Sequence, residues 1–193
     1  MDMKTLVRKS RSYRRFDQAF PVDAETLHGL VALAQYAPTG SNLQPLKFWL
    51  SNTPEMNAAI FPNLAWAGAL KEWGGPTEGE RPAAYIIILG DSGTRPNFGV
   101  DHGIAAQTIM LGAAELGLGG CMIASFRSKG LRDALAIPDR YELLLVLALG
   151  KPAETVVTEP LGNDGNTTYY RDRQDVHHVP KRSLETLILH DVK

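Results

Sequence analysis

Hydrophobic and polar positions alternate along the chain in a way that predicts alternating helices and strands. In residues 24–35, apolar side chains recur every three or four positions behind Asp23, a residue type that caps helix N-termini. Residues 83–89 are instead a continuous apolar run rich in isoleucine, typical of a strand buried on both faces. The same reasoning predicts helices over 24–35, 54–60, 101–116 and 128–136, one or two helical turns within 64–73, and strands over 46–51, 83–89, 120–124 and 141–149. This order predicts a mixed α/β sandwich in which helices pack on a small sheet.

The segment 101–116 is apolar on nearly all sides and rich in glycine and alanine. A helix of this composition is expected to be buried, and its small residues allow another backbone to approach closely. It is followed by Gly117-Leu118-Gly119-Gly120, but a phosphate-binding loop requires a strand, a glycine turn and then a helix. Because a helix here precedes a strand, we interpret these glycines as a C-terminal cap.

Residues 151–193 show little periodicity until 183–189. So long a stretch is not expected to float free beside a compact core. We therefore interpret it as an extended arm that wraps around another surface. The whole chain, 1–193, is treated as one domain, because its length suits a single hydrophobic core.

The composition is ordinary for a soluble globular protein, with 44% apolar and 21% charged residues among 193. The longest apolar runs have seven residues, whereas a bilayer span needs about 20. The first ten residues contain no apolar signal core, so we expect a cytoplasmic protein without a membrane partner. The single cysteine, Cys121, excludes an internal disulfide, and its apolar surroundings favour a buried, unreactive thiol.

The formal net charge of −1 conceals an uneven distribution. Residues 1–15 carry six basic side chains and one acidic side chain, a net charge of +5, and the rest of the chain is net −6. A second basic group near the C-terminus comprises Arg171, Arg173, Lys181 and Arg182. The two groups either meet around an anion or lie on separate solvated surfaces. Nucleic-acid binding is disfavoured, because both groups are short and the remainder of the chain is acidic.

The sequence shows few of the motifs by which side chains catalyse reactions without a cofactor. The sequence contains no G-x-S-x-G nucleophile elbow, no H-E-x-x-H zinc motif and no G-x-x-x-x-G-K-[ST] phosphate loop. His177 and His178 are adjacent and need not face one site, so no metal centre is predicted. A chain with so little chemistry of its own is expected to use that of a cofactor.

Two segments contain groups suited to such a cofactor. In Arg11-Ser12-Tyr13-Arg14-Arg15-Phe16, guanidinium groups that bind phosphate bidentately flank a hydroxyl. In the segment 37–45, four short polar side chains lie between two prolines, and the amides of Asn42 and Gln44 offer both donors and acceptors to the edge of a heterocycle. Taken singly, the segments also fit a surface charge run and an ordinary turn.

Together these segments resemble the FMN-dependent nitroreductase family, in which an R-S-x-R-x-F stretch near the N-terminus precedes a P-S-x-x-N-x-Q-P motif. Further family-like features follow in the same order, namely Asp101–Leu116 with Gly117–Ile123, Leu149-Gly150-Lys151-Pro152, and the basic tail Pro180–Glu185. The resemblance implies an α+β, nitroreductase-like fold with a small central, mainly antiparallel sheet flanked by helices. It also implies a homodimer whose C-terminal arms, about 151–193, are exchanged between subunits.

The resemblance implies the position of an FMN site as well. The phosphate, ribityl chain and pyrimidine edge would be contacted by Arg11, Ser12 and Arg14, and the phosphate would be reached from the tail by Lys181 and Arg182. The isoalloxazine ring would be lined from the partner subunit by Pro38, Thr39, Ser41, Asn42 and Gln44. A backbone N–H of the loop Ala124-Ser125 would bind flavin N5, and no side chain is expected to act as a covalent catalyst.

The implied activity is ping-pong electron transfer: NAD(P)H gives a hydride to FMN, and a nitroaromatic, quinone or similar small acceptor then takes electrons. The alternative is a related flavin enzyme that performs reductive dehalogenation, flavin breakdown or dehydrogenation of a small metabolite. The sequence departs from the family pattern at Ser10, Thr39 and Leu46, and the region 53–82 is short. The acceptor, the choice between NADH and NADPH, and contacts of Trp66 or Lys71 with the flavin are left open.

Overall fold

The centre of the molecule is an antiparallel sheet, described together with the rest of residues 1–192 by a computed structural model. Its strands are β1 (Phe16–Asp17), β2 (Leu46–Ser51), β3 (Ala84–Asp91), β4 (Gly119–Ile123) and β5 (Tyr141–Pro152). The long strand β5 pairs with β3 along one edge, with β4 along the other, and with β1 at its end, while β2 pairs with β3. All of these pairings are antiparallel, which confirms the predicted fold class.

Helices cover both faces of this sheet. They are α1 (Met3–Lys9), α2 (Ala24–Ala34), α3 (Pro54–Ile60), α4 (Asp101–Glu115), α5 (Ser128–Leu135) and α6 (Leu184–Leu187). The predicted caps are confirmed: the Asp23 carboxylate accepts from Thr26 N at 2.7 Å, and the Thr53 hydroxyl accepts from Met56 N at 3.3 Å. Gly117, with φ of 76°, ends α4, and Leu118 N donates to Ala113 O, so these glycines form the predicted cap.

Every residue of β3 is buried, and successive side chains face opposite cores. Ile86 and Ile88 belong to the core beneath α2 and α4, whereas Tyr85, Ile87 and Leu89 belong to the core beneath α3 and α5. A sheet covered on both faces has no polar side, which is why the sequence shows a continuous apolar run there.

The tail forms a second, three-stranded sheet, where no strands were expected. Its strands are β6 (Val156–Pro160), β7 (Tyr170–Arg171) and β8 (His177–Lys181), with β8 parallel to β6 and antiparallel to β7. These strands are short and mostly half-exposed, so they carry no hydrophobic alternation that the sequence could reveal. The exchange of this arm between subunits remains a prediction.

Three further expectations need correction. Helix α1 was not expected, because it buries no residue; its N-terminus is capped by Asp2, which accepts from Thr5 N. Residues 64–73 contain successive turns but no helix. Helix α4 is not buried all round, since Gly103 and Gln107 are exposed on one side of it. Among residues 1–192, no helix is long and apolar enough to cross a membrane.

Candidate functional site

The N-terminal arginine segment lies on the edge of the central sheet. Ser12 forms a parallel bridge with Gly120 of β4, and Tyr13 N donates to Gly120 O at 2.9 Å. Gly120 also lets β4 lie close to β5, because a Cβ placed on it would lie 2.5 Å from the backbone oxygen of Ala148. The segment is thus fixed to the sheet by backbone contacts, which leaves its arginine side chains available.

These side chains line a cavity of about 400 Å³, hereafter the basic cavity. Of the residues predicted to hold a phosphorylated cofactor, Arg11, Ser12, Arg14 and Lys181 all line it. Helix α4 contributes Gln107 and Met110, and the tail contributes Tyr169 and His177. One member of the C-terminal basic group, Lys181, therefore meets the N-terminal arginines in the fold, whereas Arg171, Arg173 and Arg182 do not line this cavity.

The two arginines of the basic cavity have no carboxylate partner. Arg11 donates to Val7 O at 2.7 Å, and its Nε finds no acceptor among the described residues. The Arg14 guanidinium lies 4.8 Å from the ring centroid of Tyr169, with an amino group 3.4 Å from His177 Nε2. By contrast, the nearby Arg171 is paired with Glu154 at 2.7 Å. Two half-buried, uncompensated guanidinium groups make this cavity complementary to an anion.

Glu154 holds the arginine segment in place, a role that no sequence signal indicated. One carboxylate oxygen accepts from the backbone N–H groups of Arg14 and Arg15, and the other accepts from Arg171 of β7. The side chain of Glu154 is 1% exposed. It thereby connects the tail sheet to the backbone that carries Arg14, and acts as a positioning residue for the cavity.

A smaller cavity of about 150 Å³ adjoins the basic cavity and shares Arg14 and Met122 with it. It contains the predicted loop Ala124-Ser125 together with Trp66 and Cys121. Trp66 Nε1 is buried without a partner among residues 1–192. The two cavities together form an elongated groove with a cationic end and a less charged end, and Trp66 lies at the latter.

Cys121 is buried, as predicted, and is 5% exposed. Burial raises the pKa of its thiol, which suppresses the reactive thiolate. Although the residue borders the smaller cavity, it is suited to packing rather than to nucleophilic chemistry.

The loop predicted to come from the partner subunit does not line the groove of its own chain. Its candidate residues, all exposed or half-exposed, are Pro38, Thr39, Ser41, Asn42 and Gln44. Ser41, Asn42 and Gln44 have positive φ values of 52°, 55° and 50°. Non-glycine residues in this region are strained, and such strain is common at binding sites. Buried Asp101 fixes the loop by accepting from Gly40 N at 3.0 Å.

Arg182 lies beside the basic cavity but does not line it. It borders a separate surface depression formed with residues 158–162, which Lys181 also reaches. The structure thus brings one of the two predicted tail residues to the cavity. Sequence reasoning missed two residues of β8, His177 and Val179, which line the cavity in alternation with a period of two that continues to the predicted Lys181. Recognition of β8 as a strand would have identified them.

The adjacent histidines face different surroundings. His177 is 1% exposed, and burial, with Arg14 adding to the effect, lowers the pKa of its imidazole. His178 lies between two carboxylates, with Nδ1 2.8 Å from Glu159 and Nε2 3.1 Å from Asp172, and these contacts raise its pKa. Among the described residues, no group of three or more acidic, histidine or cysteine side chains is arranged to hold a metal ion.

The pairing of His178 should make the tail sheet sensitive to pH. Because the pKa of His178 is raised on folding, its contribution to stability is fully present below about pH 6.5, the unfolded value. That contribution is lost as the pH rises through the raised folded pKa. We expect amide hydrogen exchange in β6–β8, corrected for intrinsic rates, to accelerate across this window. His178→Gln should remove the pH dependence, and an unchanged profile in this variant would contradict the assignment.

Comparison with known proteins agrees with this architecture. The sequence profile of the Nitroreductase family matches residues 7–151. A Methanothermobacter thermautotrophicus protein, provisionally named an NADH dehydrogenase/NAD(P)H nitroreductase, is 29% identical over 167 residues, which is 83% of each chain. An FMN-dependent nitroreductase from Clostridium difficile is 25% identical, with a TM-score of 0.64 over 79% of this chain and 88% of the other. A provisionally named nitroreductase from Exiguobacterium sibiricum, solved in complex with FMN, is 19% identical, with a TM-score of 0.68 over 80% of this chain and 90% of the other.

Proposed function

The chain belongs to the nitroreductase family, and from this membership we propose that it is an FMN-dependent oxidoreductase using NAD(P)H as reductant. The acceptor that we propose is a nitroaromatic, a quinone or a similar small molecule. The observation that carries the proposal is the convergence of two unpaired arginines and a lysine from opposite chain ends in one cavity. The cytoplasm, where NAD(P)H is regenerated, is the compartment that fits this chemistry.

The residues of the groove fit FMN at both ends. Arg11, Ser12 and Lys181 supply donors suited to a phosphate dianion, and the unsatisfied Nε of Arg11 lies among them. The basic cavity and its smaller neighbour, of about 400 and 150 Å³, would hold the charged group and part of the ring system respectively. At the less charged end, the backbone N–H groups of Ala124-Ser125 would hydrogen-bond a heterocycle, and Trp66 would pack beside it.

The protein contributes binding, orientation and electrostatics. Bound FMN would supply the redox chemistry, by accepting a hydride from NAD(P)H and passing electrons to the acceptor. Arg14 would place a positive charge next to the pyrimidine edge, where negative charge accumulates on reduction. Glu154 would keep Arg14 in that position through its backbone. His177, neutral near pH 7, would accept a hydrogen bond from Arg14 and would add no charge to the cavity.

The purified protein should be yellow and should contain about one FMN per chain. Anaerobic addition of NADH or NADPH should bleach the flavin absorbance, and a nitroaromatic or quinone should restore it. The absorbance spectrum and chromatography of the released flavin measure these properties. FAD as the extracted flavin would contradict the cofactor assignment. FMN that neither nicotinamide bleaches would favour the related flavin chemistries over NAD(P)H oxidation.

We further propose a homodimer in which the loop around Ser41 and Asn42 completes the FMN site of the partner subunit. Its strained, exposed polar residues do not serve the groove of their own chain, and α4 leaves Gly103 and Gln107 open beside it. Light scattering on the FMN-loaded protein should give a dimer mass over a wide concentration range. A stable FMN-loaded monomer would contradict this arrangement.

A further inference from the structure

A second cavity, separate from the proposed FMN groove, lies on the face of the sheet that carries α3. Its volume is about 680 Å³, larger than that of the basic cavity. It is bordered by residues 18–23, Asn52, the start of α3, Phe61, Glu78, residues 81–83 and Tyr85. Its lining has no residue in common with either part of the FMN groove. We refer to it as the Arg81 cavity.

Arg81 differs from most half-buried arginines of this protein in having no carboxylate within ion-pair distance among the described residues. The half-buried arginines that have a carboxylate partner are Arg15, Arg95, Arg132 and Arg171. The half-buried arginines for which no described carboxylate lies within 4.0 Å are Arg11, Arg14 and Arg81. Two of these three line the basic cavity. Arg81 is likewise half-buried without a described carboxylate partner, and it lines the second cavity. Its uncompensated charge therefore makes that cavity complementary to an anion as well.

A buried donor in the Arg81 cavity lacks an acceptor. Arg81 Nε is buried without a partner among the described residues, and within residues 1–192 the guanidinium makes no ion pair. Gln18 uses its side-chain oxygen to accept from Gly79 N at 2.8 Å, which leaves its NH₂ group free to donate. Of the two carboxylates at the cavity, that of Asp23 accepts from Thr26 N as the cap of α2, and Glu78 is exposed. Both carboxylates are thus exposed, and the buried polar atom of the lining that lacks a partner among the described residues is a donor, Arg81 Nε.

The remaining wall is apolar. It is formed by Phe20, Pro21, Val22, Pro54, Ala58, Phe61 and Pro82. The Arg81 guanidinium lies 4.4 Å from the ring centroid of Phe61, so cation and apolar surface are adjacent. We propose that the Arg81 cavity binds a small carboxylate with an apolar or aromatic body, the carboxylate on Arg81 and the body against the apolar wall.

Benzoate is the probe that tests this proposal, with benzamide as its neutral counterpart of nearly equal shape. Both are titrated into the purified, FMN-loaded protein and followed by two-dimensional NMR. The side-chain amides of Asn52 and Asn57 report on the site, because they line it and are held in place by bonds to Val22 O and Ala83 O. We expect saturable shifts of these signals with benzoate and none with benzamide.

Arg81→Gln should weaken benzoate binding by about tenfold or more, because a charge-assisted pair is lost. Arg81→Lys should retain part of the affinity, since the charge remains without the fork. FMN content should be unchanged in both variants, which separates this site from the cofactor site. Arg11→Gln is the reciprocal control, with reduced FMN content and unaltered benzoate shifts at Asn57.

Three results would overturn the proposal. Equal shifts from benzoate and benzamide would show that Arg81 does not select the ligand. Benzoate shifts at Gly120 and Met122 in place of Asn57 would locate the anion in the FMN groove. Absence of any benzoate binding would show that the cavity is closed to small carboxylates, as it would be if the tail of a second copy covered it.

Discussion

Replacement of Arg11 by alanine should weaken FMN binding by about tenfold to hundredfold, from the loss of one or more charge-assisted hydrogen bonds worth about 1.5–3 kcal/mol each. The side chain lines the basic cavity, lacks a carboxylate partner, and makes one hydrogen bond to the protein, with Val7 O. Its loss should therefore leave the apo fold nearly intact. Fluorescence titration of FMN into the stripped protein, at fixed ionic strength, measures the change.

Two variants control this experiment. Arg11→Lys should recover only part of the affinity, because lysine keeps the charge but cannot bind phosphate bidentately. Arg8→Ala removes the same charge from the exposed surface of α1, outside the cavity, and should change FMN affinity little. Unchanged affinity in Arg11→Ala would exclude the phosphate role of Arg11. An equal loss of FMN affinity in Arg8→Ala would show that Arg11 acts only through long-range electrostatic attraction and not through direct contact with the phosphate.

Gly120→Ala should both destabilise the protein and abolish its cofactor site. The added Cβ would lie 2.5 Å from Ala148 O, a backbone atom of the central strand β5, so neither partner can move freely. Overpacking of this kind lowers the free energy of unfolding by about 1–3 kcal/mol. We expect a value near the upper end of this range, because the clash is with a backbone atom. Any shift of β4 away from β5 also displaces Ser12 and Tyr13, which are bound to Gly120. Urea unfolding of the apo protein and FMN titration measure the two effects separately.

Gly29→Ala is the matched control. Gly29 lies within α2, is exposed, and an added Cβ there would have no atom within 4 Å. Alanine should stabilise the helix by about 0.5–1 kcal/mol, because it restricts the unfolded chain and is the better helix former. An unchanged stability of Gly120→Ala would contradict the explanation that the close approach of β4 to β5 requires glycine at this position.

The elements that the sequence predicted well are those whose cause is local. The caps at Asp23 and Thr53 act within three residues, and the helices behind them begin where predicted. Strand β3 is recognisable because every position in it is buried. The resemblance of the arginine segment and of the tail to a flavin-binding family located Arg11, Ser12, Arg14 and Lys181, which do meet in one cavity.

The predictions that failed concern elements without a buried face of their own. Helix α1 depends on its Asp2 cap and buries nothing, so no periodicity indicated it. The tail strands depend on side-chain pairs such as His178 with Glu159, and Arg171 with Glu154, which leave no repeating pattern. In 64–73, Leu64 and Ala65 bond to the chain around Phe126, and each of the two turns that follow is closed by one backbone bond, so no helix forms.

The sequence by itself therefore determined the central strands and the capped helices, because burial period and capping depend on neighbouring residues. The resemblance to the nitroreductase family predicted the antiparallel fold class, which the structure confirms. Only the tertiary structure decided which charges are neutralised. Within residues 1–192, Arg15 and Arg171 have carboxylate partners, whereas Arg11, Arg14 and Arg81 have none within 4.0 Å. Glu154, 140 residues from Arg14, orders the cavity from outside any local motif. Such pairings depend on distances in space between distant parts of the chain, and the local pattern carries no record of them.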